Sequence, residues 1–258
     1  MHPLPHVIIF PFPAHGHVNS MLKLAQLLSL SNFDITFLVT LDTHDRLLNH
    51  IDVISRFGSG FLLQALPHGI SMDVMNTCDG ISMFYHSLNK IAKPFLREFI
   101  AYSLVTCLIA DGILSLAGDV AKEINLPIIY FRIASASSFW SYFFMPDLIQ
   151  VGELPLKENA KDLTLTKVKG MEDFLRGRDL PSFCQASDLT SPDFRIVMTE
   201  TRQTPRALGL ILNTFEDLEG PILSQIQTVC LNVYTIRAVH AHLKSKLATK
   251  STSSNSLW

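Results

Sequence analysis

The sequence predicts an α/β fold, a parallel β-sheet with helices packed on both faces. Three observations carry that prediction. Short apolar, β-branched runs recur along the chain, a helical pattern follows each in turn, and runs such as Val105-Thr106-Cys107-Leu108-Ile109-Ala110 are almost continuously apolar. Alternation of strand and helix makes parallel crossover units. A one-sided sheet would show polar residues at every second position, so an unbroken run marks a strand buried on both sides.

The first strand runs from Val7 to Phe10 and is stopped by Pro11. In the helix that follows, Val18, Met21, Leu22, Ala25 and Leu28 fall at helical spacing, with Lys23 and Gln26 on the other face. Ile35 to Thr40 and Phe61 to Leu66 are the second and third strands. A long helix is expected from about Ile81 to Tyr102, kinked at Pro94, which has no N–H for the helical bond. Leu104 to Ala110 is the fourth strand, Leu116 to Ile124 a helix, and Ile128 to Phe131 the fifth strand. From Pro146 to about Ser191 Gly, Pro, Lys and Asp weaken every pattern. A long excursion off the sheet with one short helix is expected there, of the kind that lines binding clefts. Leu208 to Thr228 is a last β/α unit, its strand Leu208 to Leu212, and Val233 to Ile236 a final short strand. After His242 the composition collapses into Lys, Ser, Thr and Asn. Residues 1–242 therefore read as one domain and 243–258 as a flexible interdomain linker, truncated at Trp258.

At 258 residues and 48% hydrophobic, the chain buries a sizeable core. Its formal net charge of -2, with no block of Lys or Arg, excludes nucleic acid as a partner. Met1-His2-Pro3-Leu4-Pro5 lacks the basic start of a secretory signal, so a cytoplasmic location is expected. The most membrane-like stretch, Leu126 to Met145, contains Arg132 and a run of hydroxyls from Ser135 to Ser138. It reads as buried protein, so no integral membrane segment is expected. Cys78, Cys107, Cys184 and Cys230 are scattered without a C-x-x-C pair, which excludes a zinc cage or disulfide framework; Cys78 has no base near it in sequence.

Ligands of open parallel sheets bind beyond the carboxyl ends of the strands. Two polar residues are expected there. His17 follows the first strand through Pro11-Phe12-Pro13-Ala14-His15-Gly16 and opens the first helix, and Asp111 ends the fourth strand. The positive end of a helix favours the neutral, proton-accepting imidazole. A carboxylate behind the ring orients it and stabilises the cation formed when it takes a proton, so the pair is a candidate general base for an alcohol. Gly16 offers close approach to the backbone. The competing readings are a helix cap and a turn former. A metal site starting at His15-x-His17 would need a third ligand from His44, His50 or His68, and no spacing supplies it. Neither G-x-G-x-x-G nor G-x-x-x-x-G-K-[ST] is present, which counts against nicotinamide and P-loop enzymes. Aromatics from Phe139 to Phe144, with Phe84 and Tyr85, serve either as core or as the wall of an apolar pocket.

Five ordered stretches now form a pattern: His6 to Phe10 with Pro13-Ala14-His15-Gly16-His17-Val18-Asn19; Ile109-Ala110-Asp111 with Asp119-Val120-Ala121 and Leu126-Pro127; Arg178-Asp179-Leu180-Pro181-Ser182-Phe183; Leu212-Asn213-Thr214-Phe215-Glu216-Asp217-Leu218-Glu219; and Tyr234-Thr235-Ile236. Together they resemble the N-terminal half of plant UDP-glycosyltransferases. Gly170 to Arg178 and His240 to Lys244 look most like glucosyltransferases acting on iridoids such as 7-deoxyloganetin or 7-deoxyloganetic acid. The resemblance implies a Rossmann-like domain of the GT-B arrangement, with a small lipophilic acceptor bound mainly by this half and UDP-glucose mainly by a C-terminal one. It implies transfer of glucose from UDP-glucose to a hydroxyl or carboxyl of the acceptor with inversion at the anomeric carbon, His17 as the base and Asp111 as its partner, and neither metal nor cofactor. His15, Phe84, Ile113, Phe139 and Tyr142 are the expected acceptor-binding residues and Ser135 the expected donor contact. The sequence departs from the family at Ser20, where Pro is usual, at Arg237-Ala238, where Gly-Pro is usual, and at Ile133-Ala134, which stand between the fifth strand and Ser135. The family's C-terminal donor signature has no counterpart before Trp258. UDP-sugar binding is thus expected only with a further domain, and the alternative is an acceptor-binding module without turnover.

Overall fold

Each face of the central strands has its own core because alternate side chains leave a strand in opposite directions. In β1 (His6–Phe10), Val7 and Ile9 enter one apolar cluster and Ile8 and Phe10 another. The computed structural model describes residues 4–50, 56–67, 79–185, 188–236 and 239–254. Cys78, His68 and the pair Arg237-Ala238 lie outside them.

The other strands are β2 (Asp34–Thr40), β3 (Phe61–Leu66), β4 (Cys107–Asp111), β5 (Ile128–Arg132), β6 (Gly209–Leu212) and β7 (Val233–Thr235). They form a seven-stranded sheet in the order β3-β2-β1-β4-β5-β6-β7, parallel throughout. The expected α/β class is therefore the observed one. β1 and β4 are neighbours, with Phe10 opposite Ala110. From β1 the chain winds outward to β2 and β3, then crosses back to β4, so the strand order reverses between β1 and β4. There the loops at the carboxyl ends diverge and open a crevice.

One face of the sheet carries α1 (His15–Ser29) and α9 (Val239–Ser254), and α2 (Leu41–His50) follows β2. The opposite core joins α3 (Gly80–Ser87), α4 (Lys93–Ala101), α5 (Ser115–Glu123), α6 (Ala136–Gln150), α7 (Pro192–Arg202) and α8 (Glu216–Gln227). Trp140, fully buried on α6, donates its indole N–H to Lys169 O at 2.8 Å. That bond, with buried Leu165, Val168, Met171 and Leu175, ties the expected excursion onto the core.

Four local expectations need correction. In the helix expected from Ile81 to Tyr102 the irregularity falls just before Pro94 rather than at it. A π-turn, Leu88–Ala92, widens the helix just before it, Lys93 N–H reaching Leu88 O, and Pro94 sits in the first turn of α4, where a missing N–H is harmless. Helix α6 runs through Pro146 to Gln150 because Met145 and Leu148 are buried on either side of it, and that packing outweighs one lost bond. Helix α7 was not foreseen, although Ser191-Pro192-Asp193 carries a start signal of Pro and an acid in the first turn. The linker expected from 243 is helical up to Ser254. Val239 and Leu243, four residues apart, share the buried cluster that α1 supplies, and their packing rather than composition decides the local structure.

Candidate active site

β1 ends at Phe10, and the chain turns through Phe12 into α1, whose first bonds run from the N–H groups of His17 and Val18 to Ala14 O, each 3.0 Å. That places the His17 side chain at the carboxyl edge of β1, beside the end of β4. Asp111, the last residue of β4, is 1% exposed, and its Oδ2 accepts the Nδ1–H of His17 at 2.6 Å. Backbone N–H groups hold the carboxylate from two further directions, Phe12 N on Oδ2 at 3.4 Å and Ile113 N on Oδ1 at 3.3 Å. Phe12 also stands edge-on to the imidazole, ring centroids 5.3 Å apart. The ring is thus fixed with its proton on Nδ1, and in the neutral form Nε2 is an acceptor.

A cavity of about 390 Å³ lies over this pair. Its apolar wall is Phe12, Ile81, Ile113, Ile133, Phe183 and Val197, and its polar members besides the pair are Tyr85, Arg132, Ser138 and Tyr142. That volume and mixture suit a small, mostly apolar molecule with a few polar groups. A larger hollow of about 590 Å³ runs along α5 to the starts of β5 and β6. It contains neither His17 nor Asp111 and lies away from the carboxyl edge, so the smaller cavity is the candidate site.

Arg132, the last residue of β5, was singled out by sequence only as an argument against a membrane span. It is 5% exposed, its Nη2 donates to Thr201 Oγ1 at 3.1 Å, and its guanidinium lies 5.3 Å from the Phe139 ring centroid. Nη1 has no hydrogen-bond partner among the described residues. Burial lowers the Arg132 pKa, and Asp111 and Tyr85 oppose that shift. Tyr85, also 5% exposed, has a buried hydroxyl with no partner among the described residues, and burial together with Glu200 and Asp111 raises its pKa well above the ordinary tyrosine value. It is a donor at any ordinary pH.

The structure brings together His17, Asp111, Ile113 and Tyr142 at the cavity wall. The other expected residues stand elsewhere. Phe139 is fully buried against Phe143 and beneath Arg132, and Phe84 packs edge-on to Phe12, behind the wall. His15 is exposed on the first turn of α1, with Asn19 Nδ2 3.2 Å from its Nε2. Ser135 caps α6, its hydroxyl accepting the Ser138 N–H at 3.1 Å. Gly16 is exposed, and a Cβ there would meet only Ile133 Cδ1 at 4.0 Å, so close approach does not require glycine. Among the described residues no three His, Cys, Asp or Glu side chains stand together as metal ligands. Burial pushes the Cys107 and Cys230 thiols up to about 11 and Cys184 to about 12, which makes all three poor nucleophiles. Within the described residues no helix is long and apolar enough to cross a membrane.

No family model matches the chain. Among curated proteins it is 47% identical to a 7-deoxyloganetic acid glucosyltransferase of Catharanthus roseus, over 98% of this chain and 56% of that protein. It is 34% identical to mogroside I-A1 synthase of Siraitia grosvenorii, over 98% of the chain and 49% of the relative. A 7-deoxyloganetin glucosyltransferase of Gardenia jasminoides is 32% identical, over 90% and 51%. The chain thus spans about half the length of the curated relatives it matches. Among solved structures, Phytolacca americana UGT2 with UDP-2-fluoro-glucose and pterostilbene superposes with a TM-score of 0.71 at 21% identity, over 91% of this chain and 53% of that one. An anthocyanidin 3-O-glucosyltransferase in complex with UDP gives 0.71 at 22%, over 92% and 53%.

Proposed function

We propose that this chain, a homologue of plant UDP-glucosyltransferases over nearly all of its length, is the acceptor-binding part of such an enzyme, with His17 as general base and Asp111 as the group that holds it. The carrying observation is the 2.6 Å bond from His17 Nδ1 to buried Asp111 at the reversal point of the sheet, beneath a cavity with mostly apolar walls. An acceptor hydroxyl placed against Nε2 gives up its proton to the ring as its oxygen attacks the anomeric carbon of UDP-glucose. The new C–O bond forms as the bond to the diphosphate breaks. UDP departs with that electron pair, and attack opposite the leaving group inverts the centre. Asp111 stabilises the imidazolium produced. The acceptor is a small lipophilic plant metabolite, and the Catharanthus roseus relative makes an iridoid such as 7-deoxyloganetic acid the first compound to try.

Donor binding is assigned to residues beyond this chain's match, since about half of each relative's length has no counterpart here. The reading is tested with a protein that joins this chain to the rest of the Catharanthus roseus relative, assayed for transfer of labelled glucose. The expected result is transfer that falls roughly 100- to 10,000-fold in His17→Ala, the range for losing a general base. Unchanged transfer in that variant rules His17 out.

A further inference from the structure

We propose that α7 is the positioning helix of the acceptor cavity: Glu200 holds the turn that carries Asp111 and so sets the His17 ring, while Asp193 holds the start of α3 and so sets the Ile81 wall. This rests on the acceptor-cavity reading above and adds the residues that hold its two sides against each other.

The first N–H groups of a helix have no partner inside it and need an acceptor from elsewhere. Two helices at the cavity lack a cap of their own. The residue before α5 is Leu114, which has no polar side chain, and the carboxylate of Asp79, before α3, makes no capping bond. A third helix, α7, supplies both. Glu200 accepts the Ser115 N–H at 2.6 Å and the Ser115 hydroxyl at 2.9 Å. Asp193 accepts the Ser82 N–H at 2.8 Å and the Ile81 N–H at 3.4 Å. A carboxylate at the positive end of a helix is favoured both as a charge and as a hydrogen-bond acceptor. Asp193, Val197 and Glu200 follow one another at intervals of four and three residues, which puts them on one face of α7, and Val197 itself lines the cavity.

From Ser115 the restraint runs back to the base. Leu114 N–H bonds Asp111 O at 2.9 Å and Ile113 N–H bonds Asp111 Oδ1 at 3.3 Å, so the turn between β4 and α5 closes on the carboxylate that orients His17. Releasing Ser115 frays the first turn of α5 and frees Ile113, and the carboxylate then loses one of the N–H groups that aim it. At the other end the restraint is local, since Ile81, held by Asp193, is a wall residue. Caps within α3 and α5 would hold each helix alone. Caps from α7 fix both relative to Val197, and so fix the width of the cavity.

The test reads the His17 ring by NMR and the affinity for 7-deoxyloganetic acid by calorimetry, both on the chain. In Glu200→Ala the His17 Nδ1 proton is expected to move upfield as its bond to Asp111 loosens, with acceptor affinity within about twofold of wild type. Asp193→Ala is expected to weaken the acceptor about tenfold, as one lost apolar contact does, and to leave the Nδ1 proton in place. Glu200→Gln and Asp193→Asn, whose amide oxygens still accept an N–H, are expected to restore most of each loss. Ile226→Ala, which empties a fully buried site in the last turn of α8, controls for stability alone and is expected to move neither reading. Ring and affinity unmoved in both alanine variants overturn the role of α7, and so does the same change in both variants or in the control. A wild-type chain that binds no acceptor overturns the cavity reading and the Asp193 assignment with it, whereas a binding wild type with silent variants overturns α7 alone. Should an alanine variant fail to melt cooperatively, Glu200→Asp and Asp193→Glu, which shift the carboxylate by one methylene, are expected to give the same split at smaller size. Their silence overturns it too.

Discussion

Asp111 and Arg132 are opposite charges within one small volume, yet the hydrogen bonds keep them apart in role. Asp111 spends its oxygens on His17 and two backbone N–H groups. The aliphatic stem of Arg132 lies over Gly112, where a Cβ would come within 2.1 Å of Cδ and 2.8 Å of Cγ. That crowding makes Gly112 the residue that lets β4 and β5 end side by side with both charges at the cavity. Gly112→Ala must push the Arg132 stem aside and is expected to cost about 1–3 kcal/mol, the range for overpacking a filled site. Urea unfolding measures the loss. Of these residues, His17 and Asp111 were legible in sequence because each sits at a chain position, helix start and strand end, that topology sends to the crevice. Arg132 and Tyr85 were not. Arg132 Nη1 and the Tyr85 hydroxyl have no partner among the described residues, and a missing partner leaves no mark on spacing or pattern. Phe139 misled for the converse reason, since an aromatic on a helix buried all round has no polar face to show which side meets a ligand.

The carboxylate of Glu219 holds the start of α6 against α8. It accepts the N–H groups of Ala136 and Ser137, each at 2.8 Å, and the hydroxyls of Ser137 and Thr214, each at 2.6 Å. Burial alone would raise its pKa, but these four bonds outweigh it and hold the carboxyl below the usual range. A depressed folded pKa contributes stability that is fully present above the unfolded value, about 4.3, and is lost as pH falls through the folded value. Glu219→Ala is expected to cost about 2 kcal/mol at neutral pH, with the gap to wild type shrinking below about pH 4. Chemical denaturation at a series of pH values checks both parts, and a gap independent of pH would contradict the ionised cap. The strands were legible because each is a short apolar run between breakers. Helix boundaries were less so, as α6 crossing Pro146 and the π-turn before Pro94 show. In both places tertiary packing or a local widening absorbed what the residue type forbids.

Across the whole molecule, two cores on opposite faces of one sheet fix where the chain ends can sit. α9 closes one of them, with Val239 and Leu243 filling the cluster next to α1, the helix that carries His17. Leu243→Ala is expected to destabilise the protein by about 2–3 kcal/mol, as a buried leucine does, whereas a residue in a solvated linker would cost almost nothing. Its urea midpoint against that of wild type distinguishes the two. The polar composition after His242 hid this helix, because two apolar residues on one face are enough to dock it and too few to alter the average. The sheet order explains the site in turn. Reversal of the strand order between β1 and β4 is what brings residues 94 positions apart in sequence into one hydrogen bond.

The poised imidazole is tested most directly by nitrogen-15 NMR of the His17 ring, assigned by comparison with His17→Ala and recorded near pH 8.5, above the ordinary histidine range. The proton is predicted on Nδ1, hydrogen-bonded to Asp111, with a bare Nε2 whose shift moves when acceptor is added. A proton on Nε2, or a ring nitrogen indifferent to acceptor, would contradict the account.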